Sequence, residues 1–164
     1  MFPVTTNRIL AEKALQKTCA QQCVDWAINL LEPGHDGYYV AMLAGQVPPF
    51  NHFELADLRD RALHELGIKE VVPSIAVHRY AVECLRAALA GDVDRVEALA
   101  IVKDLCVAID YPKDLNEFYL LCFAYEDLLE REVQWYWPGA TRENVLSIVR
   151  DTAEAFVQDA QRDA

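Results

Sequence analysis

The chain has 164 residues, 53% apolar and 25% charged, with a mean hydropathy of +0.02; this is one domain's length, able to bury roughly 70% of the surface its unfolded form exposes. Such a composition excludes a disordered or low-complexity segment, which lacks the apolar area to offset chain entropy. Fifteen Lys and Arg stand against 26 Asp and Glu, for a net charge of -11 and a pI near 4.7, and this opposes a nucleic-acid partner, whose phosphates call for basic surface.

Between Thr6 and Leu31 the residues Ile9, Leu10, Ala14, Leu15, Val24, Ala27, Ile28 and Leu31 recur at helical spacing and predict one long helix, bent near Cys19. A short helix from Tyr38 to Ala44 follows the turn at Gly34 to Gly37, and Gly45 ends it. Asn51 and Glu54 form a capping box for a third helix carrying Leu55, Leu58, Ala62 and Leu66, with Gly67 as its stop. Ile68 to Val72 reads as a short extended piece, after which Pro73 opens a fourth helix that runs to Ala90 and Gly91. Asp92 is expected to cap a fifth helix with Val96, Leu99, Val102 and Cys106 inward, and the short connection predicts that helices four and five are antiparallel neighbours. Asp114 and Glu117 form a second capping box, opening a sixth helix through Phe118, Leu121, Cys122, Tyr125 and Leu128 to about Val133. Trp135 to Gly139 breaks the chain, and Thr141 caps a last helix with Val145, Ile148, Val149, Thr152 and Phe156 inward. The expected fold is all-α: a single-domain irregular bundle over 1–164, of about six to seven mostly antiparallel helices.

No apolar signal core occurs in the first fifteen residues, and no stretch approaches the ~18 apolar residues of a membrane span, so a soluble cytoplasmic protein without a membrane partner is expected. The odd cysteine count, Cys19, Cys23, Cys84, Cys106 and Cys122, predicts reduced thiols. Cys19 and Cys23, four apart on the expected first helix, could present half of a metal site or respond to oxidant. The other three fit buried apolar faces.

Catalytic patterns are missing. The six glycines make no phosphate-binding loop; His64-Glu65 lacks the second histidine of a zinc protease helix, since Ile68 stands there; Pro33-Gly34 separates Glu32 from His35; neither Ser74 nor Ser147 sits in a nucleophile elbow. His35, His52, His64 and His78 show no family spacing to a cysteine. Asp57, Asp60 and Glu65 read as a solvated helix face. The expectation is therefore no catalytic residue, no metal ligand set and no cofactor.

The charge is uneven: residues 111–164 hold five basic against eleven acidic side chains, more than half of the net surplus. There Glu126, Asp127 and Glu130 lie close to Trp135 and Tyr136, a mixture suited to steering a basic protein inward and anchoring it. Asp36 and Tyr39, beside Tyr38, form a lesser candidate patch.

The segment from Trp26 to Ile68, with Leu30-Leu31, Gly34, Asp36, Leu43-Ala44-Gly45, Pro48-Pro49, Asn51, Phe53-Glu54, Leu58 and Glu65-Leu66-Gly67, resembles a pattern in small acidic helical bacterial proteins of uncharacterised function. Some of these are candidate immunity partners of toxins. The resemblance covers about a quarter of the chain and implies masking of a secreted toxin rather than catalysis; it assigns no functional residue. The expected function is a non-catalytic acidic module that binds a basic protein, most sharply an immunity-type protein, as monomer or homodimer. The rivals are a small helical enzyme or metal-dependent protein using Cys19, Cys23 and a histidine, and a helical adaptor or structural homodimer.

Overall fold

A computed structural model describes residues 2–162; Met1, Asp163 and Ala164, the ends of the expected domain, lie outside the described residues. The described residues form eight α-helices and no strand: α1 (Thr6–Ala14), α2 (Gln21–Leu31), α3 (Tyr38–Ala44), α4 (His52–Glu65), α5 (Pro73–Ala90), α6 (Arg95–Ala108), α7 (Lys113–Glu130) and α8 (Val145–Arg162). The all-α class is as the periodicity implies. The helix count exceeds the expectation because the stretch from Thr6 to Leu31 is two helices, and Ile68 to Val72 is irregular rather than extended in a strand.

The break between α1 and α2 has a local cause. Gln16 adopts φ 55°, in the left-handed region that stops a helix, and Lys17 N–H returns to the Glu12 carbonyl at 2.9 Å. Trp26 Nε1 then donates to Thr6 Oγ1 at 3.0 Å, so α2 packs back on α1. Ile9 and Leu10 of one helix and Cys23, Val24, Trp26 and Ala27 of the other share one core.

By packing, the chain divides into two compact units, residues 3–77 and residues 78–162 with Phe2, and α5 contributes Pro73 to Val77 to the first. In the first unit α3 packs closely on both α2 and α4, around Trp26, Val40, Leu43 and Leu55. Asn51 Oδ1 accepts from the amides of Phe53 and Glu54 at 3.2 and 3.3 Å, the cap that its sequence position predicts. The carboxylates expected on a solvated face are exposed at Asp57 and Glu65 and half-buried at Asp60, and each also has a partner: Asp57 bonds Arg61 at 2.8 Å, Asp60 bonds Arg59 and Lys13, both at 2.9 Å, and Glu65 receives the amides of Tyr38 and Tyr39 at 2.8 and 3.0 Å.

In the second unit α6 and α7 form the most extensive pair, with α8 against both. Leu99, Val102, Cys106, Leu115, Phe118, Leu121 and Val149 are buried there. Several caps differ from the sequence reading. Asp94, not Asp92, caps α6, accepting from Val96 and Glu97 at 2.8 and 3.1 Å, because Asp92 N–H closes the end of α5 on the Ala87 carbonyl. Pro112 precedes α7 without a side-chain cap, and Asp114 bonds His78 instead. α7 stops at Glu130, short of Val133. Thr141 precedes α8 by one turn and accepts through its carbonyl from Val145 N–H at 3.0 Å. Among the described residues no helix is long and apolar enough to cross a membrane.

Candidate functional site

The periodicity that buries Phe118, Leu121 and Leu128 of α7 places Tyr119, Phe123, Glu126 and Glu130 along a different stripe of the same helix. A row of rings follows that stripe. Tyr111 meets Tyr119 edge-on at 5.1 Å, Tyr119 meets Phe123 at 4.9 Å, and Phe123 meets Tyr136 at 5.4 Å. These separations lie in the favourable range for aromatic pairs. Lys103 Nζ stands 5.7 Å from the Phe123 ring and 3.8 Å from carboxylate oxygens of both Glu126 and Asp104. Lys103 thus links the middle of the row to carboxylate.

The loop after α7 is held by side chains that bond its backbone. Gln134 Nε2 donates to the carbonyls of Trp137 and Ala140, while its Oε1 accepts from the amides of Tyr136 and Trp137, both at 2.8 Å. Arg142 donates to the carbonyls of Leu128 and Arg131, and Asn144 Nδ2 donates to Gly139 O at 3.0 Å. Trp137 packs on Leu128, Ala140 and Val145. With that ring as anchor, Trp135 is left 89% exposed and Tyr136 40%, beside Leu129 at 63% and Val133 at 55%. Large apolar surface held on a fixed backbone loses little entropy on binding.

Of the residues expected from sequence, Glu126 and Glu130 are exposed, Asp127 is half-buried, and Trp135 and Tyr136 share this loop. Asp36 and Tyr39 belong to the other unit. Tyr39 is engaged, with the Arg61 guanidinium 5.4 Å from its ring and donating to its hydroxyl at 3.3 Å, and the exposed ring of that patch is Tyr38. Sequence reasoning missed Tyr111, Tyr119 and Phe123, although the four-residue step from Tyr119 to Phe123 was a visible signal. It also missed Gln134 and Arg142, whose partners are backbone atoms and leave no pattern in the sequence.

Cys84, Cys106 and Cys122 are buried and outside any disulfide. Burial, and then the charge of Glu126, push the Cys122 thiol up to about 11, and burial likewise raises Cys106. Both are poor nucleophiles near neutral pH, since the reactive form is the thiolate. Cys19 and Cys23 are joined as a disulfide, not reduced, and Cys19 precedes α2 rather than lying within a helix, which corrects the expectation of a half metal site on one helical face. No group of three or more His, Cys, Asp or Glu suited to a metal ion occurs among the described residues.

A separate groove of about 560 Å³ in the second unit is lined by His78, Asp114, Glu117, Asp151, Phe156 and Trp137. His78 Nδ1 bonds Asp114 Oδ2 at 2.9 Å, and Phe156 lies 5.0 Å from the His78 ring and 5.4 Å from Phe118. Its walls are acidic and aromatic. No protein-family model, curated protein or solved structure matches the chain.

Proposed function

We propose that the protein is a non-catalytic binding module that docks a basic protein on the platform formed by the end of α7 and the loop behind it. Its sharpest version is a cytoplasmic, immunity-type protein that binds and neutralises a basic bacterial toxin. The observation that carries the reading is the exposure of Trp135 and Tyr136 on a loop fixed by Gln134, beside the carboxylates of Glu126 and Glu130. Carboxylates raise the rate of encounter with a basic surface, and rigid aromatic rings supply the contact area that is desolvated on docking. A second copy of the chain is the poorer occupant, because the segment that carries the platform is itself strongly acidic.

The test is affinity capture from native lysate with the tagged wild type and with Trp135→Ala/Tyr136→Ala, at low and then moderate salt. One stoichiometric basic protein held by the wild type through the salt step, and lost with the double variant, is expected. Equal capture by both forms, or an acidic partner, would overturn the reading.

A further inference from the structure

We propose that Cys19 and Cys23 are a reversible dithiol–disulfide site whose oxidation locks the break between α1 and α2. The two sulfurs are bonded, with Cα atoms 5.9 Å apart. Residues four apart within a continuous α-helix hold their Cβ atoms about 5–6 Å apart, whereas a disulfide needs about 3.5–4.5 Å. The crosslink is therefore incompatible with one continuous helix through both cysteines. Cys19 sits one residue before the Ala20 N-cap, which offers no side-chain cap, and Cys23 lies in the first turn of α2.

The surroundings make this pair a switch rather than a staple. The loop that it closes is short, so the bond removes little chain entropy. Both cysteines are buried, yet Gln16, Lys17 and Thr18 beside them are exposed, and Gln16 is held in the left-handed region, which non-glycine residues rarely adopt. Small local opening is enough to admit a reagent. His52 Nδ1–H donates to the Cys19 carbonyl at 2.8 Å and Gln22 Nε2 to the Thr18 carbonyl at 2.7 Å, so the oxidised loop has a defined seat on α4. In a reducing compartment, the one taken for this protein above, a disulfide is typically transient or redox-sensing.

The reaction balances with a low-molecular-weight disulfide of the glutathione class. The Cys23 thiolate attacks one of its sulfurs and expels a thiolate; Cys19, losing its proton, then attacks the Cys23 sulfur of the mixed disulfide and expels the second. Two protein thiols are oxidised and one disulfide is reduced to two thiols; excess glutathione reverses both steps.

The full chain is equilibrated across glutathione redox ratios, thiols are counted by alkylation and mass, and backbone hydrogen exchange is followed. We expect Cys19 and Cys23 to convert together, and exchange over residues 14–24 to rise about tenfold or more on reduction, as for a segment released from a local constraint, with residues 113–162 unchanged. Cys19→Ser/Cys23→Ser should exchange like the reduced wild type at every ratio; should that variant not fold, the wild-type comparison decides alone. A crosslink that resists reduction until the chain unfolds, thiols that stay reduced at every ratio, or equal exchange in both states would overturn the proposal. Each of these is independent of whether the α7 platform captures a partner.

Discussion

Glu65 lies at the end of α4 and bonds the first two amides of α3, which no side chain of its own segment caps. A carboxylate on these amides satisfies orphan donors and opposes the positive end of the helix. Glu65→Ala should therefore lower stability by about 1 kcal/mol, the usual worth of a lost cap, read as a shift in the urea midpoint. Gly37→Ala should act in the same direction, because its new Cβ would stand 2.5 Å from Glu65 Oε2 and displace the cap. In sequence, Glu65 belongs to a charged helix face, and nothing in its neighbourhood announces a partner near residue 38. Asp60 was opaque for the same reason. Burial opposes its ionisation, yet bonds from Arg59 and Lys13 outweigh that and hold its carboxyl below the ordinary value. For Lys13 burial likewise opposes the charge, and Glu70 and Asp60 outweigh it, holding the amine above its ordinary value. Folding thus favours both charged forms. The Asp60 contribution is present above its unfolded pKa of about 3.9 and is lost as pH falls through the folded one; that of Lys13 is present below about 10.4 and is lost as pH rises through its folded value. Measured as urea midpoints against pH, the acid limb should flatten in Asp60→Asn. An acid limb identical in both proteins would mean that the cluster contributes nothing there.

Helices, their apolar faces and most of their glycine stops were legible, because each is written in a window of a few residues. Val145, Val149 and Phe118 fall where periodicity puts them. Breaks that preserve the spacing were not legible: α1 and α2 each keep a helical pattern, and only the return of Trp26 to Thr6 reveals that two helices share it. The cap of α6 was located to within two residues, since Asp92 and Asp94 are equally good cap residues and the choice between them rests on how α5 ends. For the candidate site, the acidic and aromatic residues could be named from composition, whereas their presentation depends on the backbone of residues 131–144. Gln134 is the test of that dependence. Its amide makes four bonds to loop backbone, so Gln134→Ala leaves those groups to water. We expect a loss of about 1–3 kcal/mol if they remain half-buried, with Trp135 fluorescence shifting to longer wavelength. Gln134→Glu, which keeps the acceptor oxygens but removes the donors, should fall between the two. A loop that holds its hydrogen-exchange protection in Gln134→Ala would show that Arg142 and Asn144 suffice.

Across the whole molecule the charge is graded, from near balance in residues 1–50 to a surplus of six acidic side chains in residues 111–164. A field of this kind acts over roughly a Debye length, about 8 Å at physiological ionic strength, so it influences how partners meet more than how tightly they stay. Exposed rings act at contact only. The two contributions should therefore separate in kinetics measured with the captured partner. Glu126→Lys/Glu130→Lys should slow association about tenfold or more at low salt, with the difference shrinking as salt is added and dissociation little changed, because rim charges act mainly on the on-rate. Glu126 pairs loosely with Lys103, so the partner must compete with that cation, and Lys103→Ala is expected to speed association modestly. Trp135→Ala should leave association nearly intact and raise dissociation about thirtyfold, the kinetic equivalent of losing a hot spot of about 2 kcal/mol. Stopped-flow traces at three ionic strengths distinguish these outcomes. If charge reversal and ring removal both changed only dissociation, the carboxylates would be contact residues, and the acidic gradient would serve solubility rather than recognition.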